Sequence, residues 1–434
     1  MQTRLLSNGI LLSPGKSGME RADLRLGGDT ILERAPTLTP LAGEPREDLH
    51  GALVMPGFVC AHTHLYSSLV RGMPFPDPPP RDFPETLERI WWKLDRALDE
   101  ESVHSSALAG AAEALRRGVT TIVDHHSSPT AIPGSLSHIE KGLAKVGLRG
   151  ILCYEVSDRD GPRARDQGLE ENLRYASSRR TDPLFRGLVG AHASFTLSEE
   201  SLRLLGETTR KLDAGLHMHL AEDAADARLT LARYGVPILN RLQNHGLVTD
   251  RSVFAHAVTL GREEYTVLAR AGSWLIHNPR SNMNNRVGHA PIHLFGEKAA
   301  LGTDGFPADM LEEARAAFFW NRTADPPSQP ADALRLLFNG TRLAGEVFGK
   351  RFGDLEAGYG ADLVTLRYLP PTPLEARTLP AHILFGLSSA AVESVMVGGE
   401  WILRDGTFTR CSEEEILREA SHAADRLWRR ALDE

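Results

Sequence analysis

Eight short apolar runs dominate the middle of the 434-residue chain. Each run ends in a polar residue and leads into a loop and a helix-like stretch. The runs cover residues 57–64, 120–126, 149–155, 186–192, 214–222, 252–256, 273–278 and 299–304. Nearly continuous apolar strands separated by helices are typical of a buried parallel sheet. Eight such units predict an α/β fold, the (β/α)8 or TIM barrel, with its chemistry at the carboxyl ends of the strands.

The two ends of the chain have a different pattern, with short strands and turns before residue 50 and again near 355–410. In the second region, the glycine pair of "VMVGGEWILRDG" predicts a tight turn between two strands. We expect the two regions to pair with each other into one small β domain.

Composition and charge exclude several classes of partner. The 49 Lys and Arg residues against 57 Asp and Glu give a net charge of −8, without a basic cluster. Neither a nucleic-acid partner nor an anionic membrane is therefore expected. The N-terminus lacks a signal-peptide pattern, and no run reaches the ~18 apolar residues of a membrane span. Cys60, Cys153 and Cys411 are odd in number and widely spaced, which argues against disulfides and favours a cytoplasmic protein.

The polar residues that end the runs include many imidazoles and carboxylates. They are His62, His64, Asp124, His125, His126, Glu155, His192, His217, His219, Glu222, His256, His277, Asn278 and Asp304. Side chains two apart on a strand project to the same side, as do His62 and His64. Imidazole and carboxylate together suit a divalent metal ion, and a catalytic site leaves one position open for water. These two histidines, one histidine of the fifth run and Asp304 predict such a site.

Several segments resemble the amidohydrolase superfamily, in the branch of cytosine, guanine and adenosine deaminases and chlorohydrolases. They are "MPGFVCAHTHLYSSLVRGM", "HMHLAED", "VFAHAVTL", "HNPRSNMNNRVG" and "ALGTDG". Others, such as "VDHHSSP" and "FGDLEAGYGADL", resemble aminohydrolases associated with selenium-dependent hydroxylases of purine metabolism. The resemblance covers the whole chain and implies a composite β-sandwich beside the barrel. The expected domains are 1–55 (β-sandwich, first part), 56–352 (barrel) and 353–434 (β-sandwich, second part, with a C-terminal helix).

The resemblance also implies roles for particular residues. The implied ligands of one divalent metal ion, Zn²⁺ first and Fe²⁺ as the alternative, are His62, His64, His219 and Asp304. The metal lowers the pKa of its bound water to about 7, and Asp304 accepts the proton of that water. Glu222 protonates the heterocycle and the departing group. His256 orients the attacking hydroxide or polarises a substrate oxygen, and His192 contacts the heterocycle.

Two segments outside this set are candidates for substrate contacts. The polar loop after the seventh run offers Asn278 and Arg280 as hydrogen-bond partners. The long proline-rich segment after the first run predicts a cover over the barrel mouth. Trp91 could stack on a planar substrate there, or could pack with Trp92 in the cover or a subunit interface.

The remaining strand-end residues have no assigned role. We expect His217, Asp124, His125 and His126 to orient the ligands from behind.

The predicted reaction is hydrolytic deamination of a purine, pteridine or pyrimidine type of heterocycle, with water as second substrate and ammonia as product. The fourth run ends "RGLVGAH", without the lysine that bridges two metals in cyclic-amide hydrolases of this superfamily. Three alternatives stay open: one-metal ring opening of a cyclic amide in purine catabolism, dechlorination of a chloro-heterocycle, and a non-catalytic role in a hydroxylase complex. Family analogy allows a homodimer.

Overall fold

The computed structural model describes residues 3–13, 18–74, 76–324 and 326–433. Its strands are β1 (Thr3–Ser13), β2 (Gly18–Gly27), β3 (Thr30–Ala35), β4 (Arg46–Asp48), β5 (Leu53–Pro56), β6 (Phe58–Thr63), β7 (Val119–His126), β8 (Arg149–Val156), β9 (Phe185–Gly187), β10 (Val189–Ala191), β11 (Leu216–Leu220), β12 (Val253–His256), β13 (Trp274–His277), β14 (Ala299–Leu301), β15 (Leu363–Leu366), β16 (Val392–Val397), β17 (Glu400–Arg404) and β18 (Thr407–Phe408). Its α-helices are α1 (Phe83–Thr86), α2 (Trp92–Ala97), α3 (Glu100–Arg116), α4 (Ser135–Val146), α5 (Gly161–Ser178), α6 (Glu199–Leu212), α7 (Ala224–Tyr234), α8 (Ile238–Asn244), α9 (Arg262–Ala271), α10 (Pro279–Asn284), α11 (Met310–Asn321), α12 (Pro330–Phe348), α13 (Leu379–Phe385) and α14 (Glu413–Asp433).

The eight apolar runs form one parallel sheet that curves into a barrel. In chain order its strands are β6, β7, β8, β10, β11, β12, β13 and β14, and β9 pairs with β8 at the start of the fourth run. The first and last strands meet through backbone hydrogen bonds from Thr303 to His62 (2.8 Å) and from His64 to Asp304 (3.1 Å). The prediction of a (β/α)8 barrel is therefore confirmed.

Strands from both ends of the chain form one continuous mixed sheet. Its order is β18-β17-β16-β15-β5-β1-β2-β3, with β4 beside β1. Side chains from both regions, such as Leu24 and Met396, share one apolar core. Gly398 and Gly399 make the predicted turn with φ of 58° and 81°, a conformation that favours glycine. The composite β domain expected from the two ends of the chain is confirmed.

The segment after β6 returns over the barrel mouth as a helical stretch. Helices α1 and α2 are joined by a π-helical turn over Leu87–Trp91. The C-terminal helix α14 holds both ends of this segment: Trp428 Nε1 donates to the Leu69 carbonyl (2.6 Å) and Arg430 Nε to the Ala97 carbonyl (2.7 Å). We call residues 69–74 and 76–97 the cover segment.

Among the described helices, none has the length and apolarity that crossing a bilayer requires.

Candidate active site

The carboxyl ends of β6, β11, β12 and β14 bring imidazoles and a carboxylate to one point. His64 Nε2 lies 3.1 Å from His219 Nε2 and 3.0 Å from Asp304 Oδ1. His62 Nε2 lies 3.7 Å from the same Asp304 oxygen. One ligand atom from each of His62, His219, His256 and Asp304 lies within 4.8 Å of the others. The barrel thus brings together the residues expected to bind metal.

Hydrogen bonds to the opposite ring nitrogens determine which way the histidine lone pairs face. His64 Nδ1 lies 2.5 Å from the carbonyl oxygen of His125, and His219 Nδ1 lies 3.1 Å from that of His192. Because a carbonyl only accepts, each Nδ1 carries the proton. In neutral rings both Nε2 atoms then present lone pairs to each other across 3.1 Å. Two facing lone pairs repel each other, and either a proton on His64 Nε2 or a metal ion between the two nitrogens removes that repulsion.

The charge of Asp304 also favours a cation here. Burial lowers the pKa of His64, but the Asp304 carboxylate outweighs burial and raises it to about 9. Burial lowers the pKa of His62 to about 3 and that of His219 well below its usual range. Imidazole nitrogens around one carboxylate are ligands that Zn²⁺ and Fe²⁺ accept, and a bound divalent ion would take the place of the proton on His64. The residues present therefore fit a divalent metal ion.

Histidine 217, which shares a strand face with His219, lies one layer deeper. Its Nε2 is 2.9 Å from Nδ1 of His62, so it supports His62 from behind. His62 Nε2 is left without a hydrogen-bond partner in the described part of the chain. This contact orients His62 toward the metal-fitting cluster.

A buried charged group lies beside the cluster, at the ends of the second and third barrel strands, β7 and β8. Glu155 Oε2 lies 3.2 Å from His125 Nδ1, and Arg159 contacts both Glu155 (3.3 Å) and Asp95 of the cover segment (3.0 Å). His64, His125, Glu155 and His219 also have ligand atoms within 4.8 Å of one another. The Arg159 guanidinium already balances the carboxylate, and both His64 and His219 belong to the first cluster. A second metal is therefore not implied.

Asp124 and His126 also lie behind the cluster. Asp124 Oδ1 accepts a hydrogen bond from the Leu65 N–H (2.7 Å), which holds the turn after β6, and burial raises the pKa of Asp124 to about 7. His126 Nε2 lies 2.9 Å from Ser128 Oγ.

Three strand ends at the site have left-handed backbone at residues other than glycine. The φ angles are 48° at Ala221, 72° at His256 and 53° at Asp304. Each such conformation costs on the order of 1–3 kcal/mol and persists where its surroundings hold it. Next to Asp304, a side chain on Gly302 would place Cβ 2.7 Å from the His62 carbonyl oxygen. Glycine therefore permits the close approach of the last strand to the first.

Helix α10 and the residue after it provide one hydrogen-bond partner for each candidate catalytic group. The contacts are Ser281 Oγ to Asp304 Oδ2, His256 Nδ1 to Asn282 Oδ1 (2.9 Å) and Asn285 Nδ2 to Glu222 Oε1 (3.3 Å). The sequence did not predict this role, although the polar density of "HNPRSNMNN" indicated an unusual loop. The loop orients the reacting side chains.

Two side chains expected to contact substrate from this loop lie elsewhere. Arg280 donates to Glu313, to Glu312 (3.0 Å) and to the Pro307 carbonyl (2.6 Å). Asn278 is fully buried beside Gly302. Neither lines the chamber next to the cluster. These positions do not support the expected substrate contact. Arg280 pairs with the fully buried Glu313, and Asn278 is itself fully buried.

Removal of the Arg280 charge should therefore reduce stability. We expect Arg280→Met to lower the free energy of unfolding by about 3 kcal/mol, since Glu313 would be left buried without its cation. Even beside Arg280, burial raises the pKa of Glu313 to about 7. Denaturant unfolding measures the loss. The control Arg377→Met removes a guanidinium that is 83% exposed and should change stability by less than about 0.5 kcal/mol. Equal effects would contradict the role of Arg280.

A chamber lies between the cluster and the cover segment. It is lined by His64, Tyr66, Phe83, Leu87, Trp91, Trp92, Asp95, Glu155, His192, Ala193, Phe195, His219, Glu222, Asp226, Asn285, Asp304 and Gly305. Trp91 and His192 thus face the chamber, as a substrate contact requires. Trp92 also packs against Arg159, whose guanidinium lies 4.9 Å from its ring centre.

Residues 53–402 match the Amidohydrolase family. The chain belongs to this family. It is 27% identical over 424 residues to a 5-methylthioadenosine/S-adenosylhomocysteine deaminase of Pyrococcus furiosus, covering 95% of this chain and 98% of the relative. It is 30% identical over 398 residues to a protein of the same name from Desulforudis audaxviator, covering 88% of each. A 5'-deoxyadenosine deaminase of Methanopyrus kandleri is 28% identical over 386 residues, covering 86% of each.

Solved structures of the same fold include enzymes with different activities. An adenosine deaminase from Xanthomonas campestris with bound zinc has a TM-score of 0.86 at 22% identity and covers 98% of each chain. A zinc complex of atrazine chlorohydrolase from Arthrobacter aurescens has a TM-score of 0.80 at 21% identity and covers 97% of this chain and 99% of the other. Family membership and the deaminase relatives identify the chain as a hydrolase of carbon–nitrogen bonds other than peptide bonds. The family is metal-dependent, and the His/Asp cluster fits that requirement.

Proposed function

We propose that the chain catalyses hydrolytic deamination of an amino-substituted heterocycle, with purine nucleosides as the first class to test. The observation that carries the proposal is that the metal-fitting cluster, which includes His256, meets the Glu222 carboxyl at the chamber. Glu222 Oε2 lies 3.5 Å from His256 Nε2, and Glu222 lines the chamber with His64, His219 and Asp304. The names of the adenosine-type deaminase relatives support the choice of substrate class.

One divalent metal ion, Zn²⁺ first and Fe²⁺ as the alternative, would be held by His62, His64, His219 and Asp304. When bound, such an ion acts as a Lewis acid that makes water nucleophilic near neutral pH.

The two carboxyls of the site suit opposite proton roles. Burial and the nearby charge of Asp304 raise the pKa of Glu222 well above its usual value, so Glu222 carries a proton at neutral pH. Burial opposes ionisation of Asp304, but the neighbouring imidazoles of His62 and His64 outweigh it and hold the pKa of Asp304 well below its usual range. A pair of carboxyls with separated pKa values provides an acid and a base. Asp304 takes one proton of the attacking water, and Glu222 gives its own proton to the heterocycle. Glu222 then takes the second proton of that water and passes it to the leaving amine, and the proton on Asp304 returns to Glu222.

His256 orients the attacking water. Its Nδ1 donates to Asn282 Oδ1 (2.9 Å), and burial lowers the pKa of the ring. The neutral ring then presents the Nε2 lone pair toward the cluster and Glu222 as an acceptor. We assign substrate contacts to His192 and Trp91, which both line the chamber. A homodimer stays a prediction.

An ammonia-release screen coupled to metal analysis tests this function. The panel contains adenosine, 5'-deoxyadenosine, 5-methylthioadenosine, guanine, a pterin and cytosine, with ultraviolet spectra recorded throughout. We expect about one zinc or iron per chain and ammonia from an aromatic amine.

Other outcomes favour the alternatives. Loss of ring absorbance from a cyclic amide without ammonia would favour ring opening, and chloride from a chloro-heterocycle would favour dechlorination. A chain that holds no metal after growth with zinc and iron would overturn the proposal.

A further inference from the structure

Ala221, the residue before Glu222, has both its backbone N–H and its backbone carbonyl in hydrogen bonds. Ala221, with φ of 48°, donates its N–H to Asp226 Oδ2 (2.9 Å). Its carbonyl accepts from the backbone N–H groups of Val258 and Thr259, at 3.0 Å each, and from the Thr259 hydroxyl at 3.1 Å. Alanine disfavours this left-handed conformation, so these contacts are what hold it.

The donors on the carbonyl side come from the loop that follows His256. The Ala257 N–H also donates to the Leu220 carbonyl (2.9 Å), and Ala257 has φ of 49°. The loops that carry Glu222 and His256 therefore form one hydrogen-bonded unit. The direction of the Glu222 side chain depends on the backbone of this unit.

The Asp226 side chain accepts the hydrogen bond from the Ala221 N–H in this unit. It lies in the first turn of α7 and is 3% exposed. Its other carboxylate oxygen lies 3.4 Å from the Thr230 hydroxyl. We propose that Asp226 is a positioning residue that fixes the Ala221 peptide and thereby aims Glu222 at the reaction centre. The inference rests on the proposed role of Glu222.

Replacement of Asp226 should impair turnover more than binding. We expect Asp226→Ala to lower kcat about 30-fold, because small misplacements of a reacting group cost up to ~100-fold. KM should stay within about 3-fold, since Glu222 acts in the reaction and not in ground-state binding. Metal content per chain should be unchanged.

A double-mutant cycle with Ala221→Gly separates positioning from other roles of Asp226. Glycine adopts positive φ without the penalty that alanine meets, so the peptide needs Asp226 less. We expect the kcat loss caused by Asp226→Ala to shrink from about 30-fold to about 5-fold in the Gly background. A direct substrate contact or a purely structural role would give the same loss in both backgrounds.

Controls keep the outcomes distinct. Thr230→Val removes the hydroxyl contact of Asp226 but keeps its bond to the Ala221 N–H, and should keep kcat within about 2-fold of the parent. If Asp226→Ala does not fold, the cycle is run with Asp226→Leu, which has nearly the same volume and no acceptor for the Ala221 N–H. An equal loss in both backgrounds, or a kcat of Asp226→Ala within about 2-fold of the parent, overturns the inference. Full activity of Glu222→Gln would instead overturn the proposed role of Glu222, on which the inference rests.

Discussion

His219→Ala is expected to lose bound metal and activity together. The Nε2 of His219 lies at the centre of the cluster, 3.1 Å from His64 Nε2, and its Nδ1 is held by the His192 carbonyl. Removal of His219 takes one imidazole from the expected set of four ligands and therefore weakens metal binding. We expect less than about 0.1 metal per chain and a loss of turnover of at least ~10³-fold.

Elemental analysis and ammonia release measure these two effects, and thermal unfolding provides a readout besides activity. A metal that binds the folded state stabilises it, so a chelator should lower the Tm of the parent protein and leave that of His219→Ala unchanged. The control His422→Ala alters an exposed histidine on α14 and should match the parent in all three measurements. A metal-replete, fully active His219→Ala would refute the ligand set.

Glu222→Gln is expected to keep the metal and lose turnover. The amide has the shape of the carboxyl group, and its oxygen can still accept the hydrogen bond from Asn285 Nδ2 (3.3 Å in the parent). It cannot transfer a proton at neutral pH, and general acid–base catalysis contributes about 10²–10⁴-fold. We therefore expect kcat to fall about 10³-fold with KM nearly unchanged.

Single-turnover and steady-state ammonia release, with metal analysis of the same preparation, measure this effect. Glu207→Gln provides a matched control, because this glutamate is 51% exposed and pairs with Arg203 on the outer surface of α6. Its kcat should equal that of the parent. A near-native rate for Glu222→Gln would assign the proton transfer to another group.

The sequence by itself determined the barrel and the candidate ligand positions. Eight buried strands read as apolar runs because both faces of a parallel barrel strand are covered, and the end of each run marks the mouth of the barrel. The two-residue period placed His62 and His64 on one face without any tertiary information. The glycine pair at Gly398–Gly399 likewise predicted its hairpin, because the turn conformation is local.

Only the tertiary structure decided which side chains support the reacting groups. His217 and His219 share a strand face, and their separation of about 7 Å along the strand becomes meaningful only beside His62 and His64. Helix α10 and the residue after it contact Asp304, His256 and Glu222. Arg280 pairs with Glu313, and Asp226 accepts a hydrogen bond from the Ala221 N–H. No local period of the sequence predicts the relative placement of these residues. These contacts depend on loop directions and left-handed backbone that neighbouring strands impose, so they exist only once the barrel has closed.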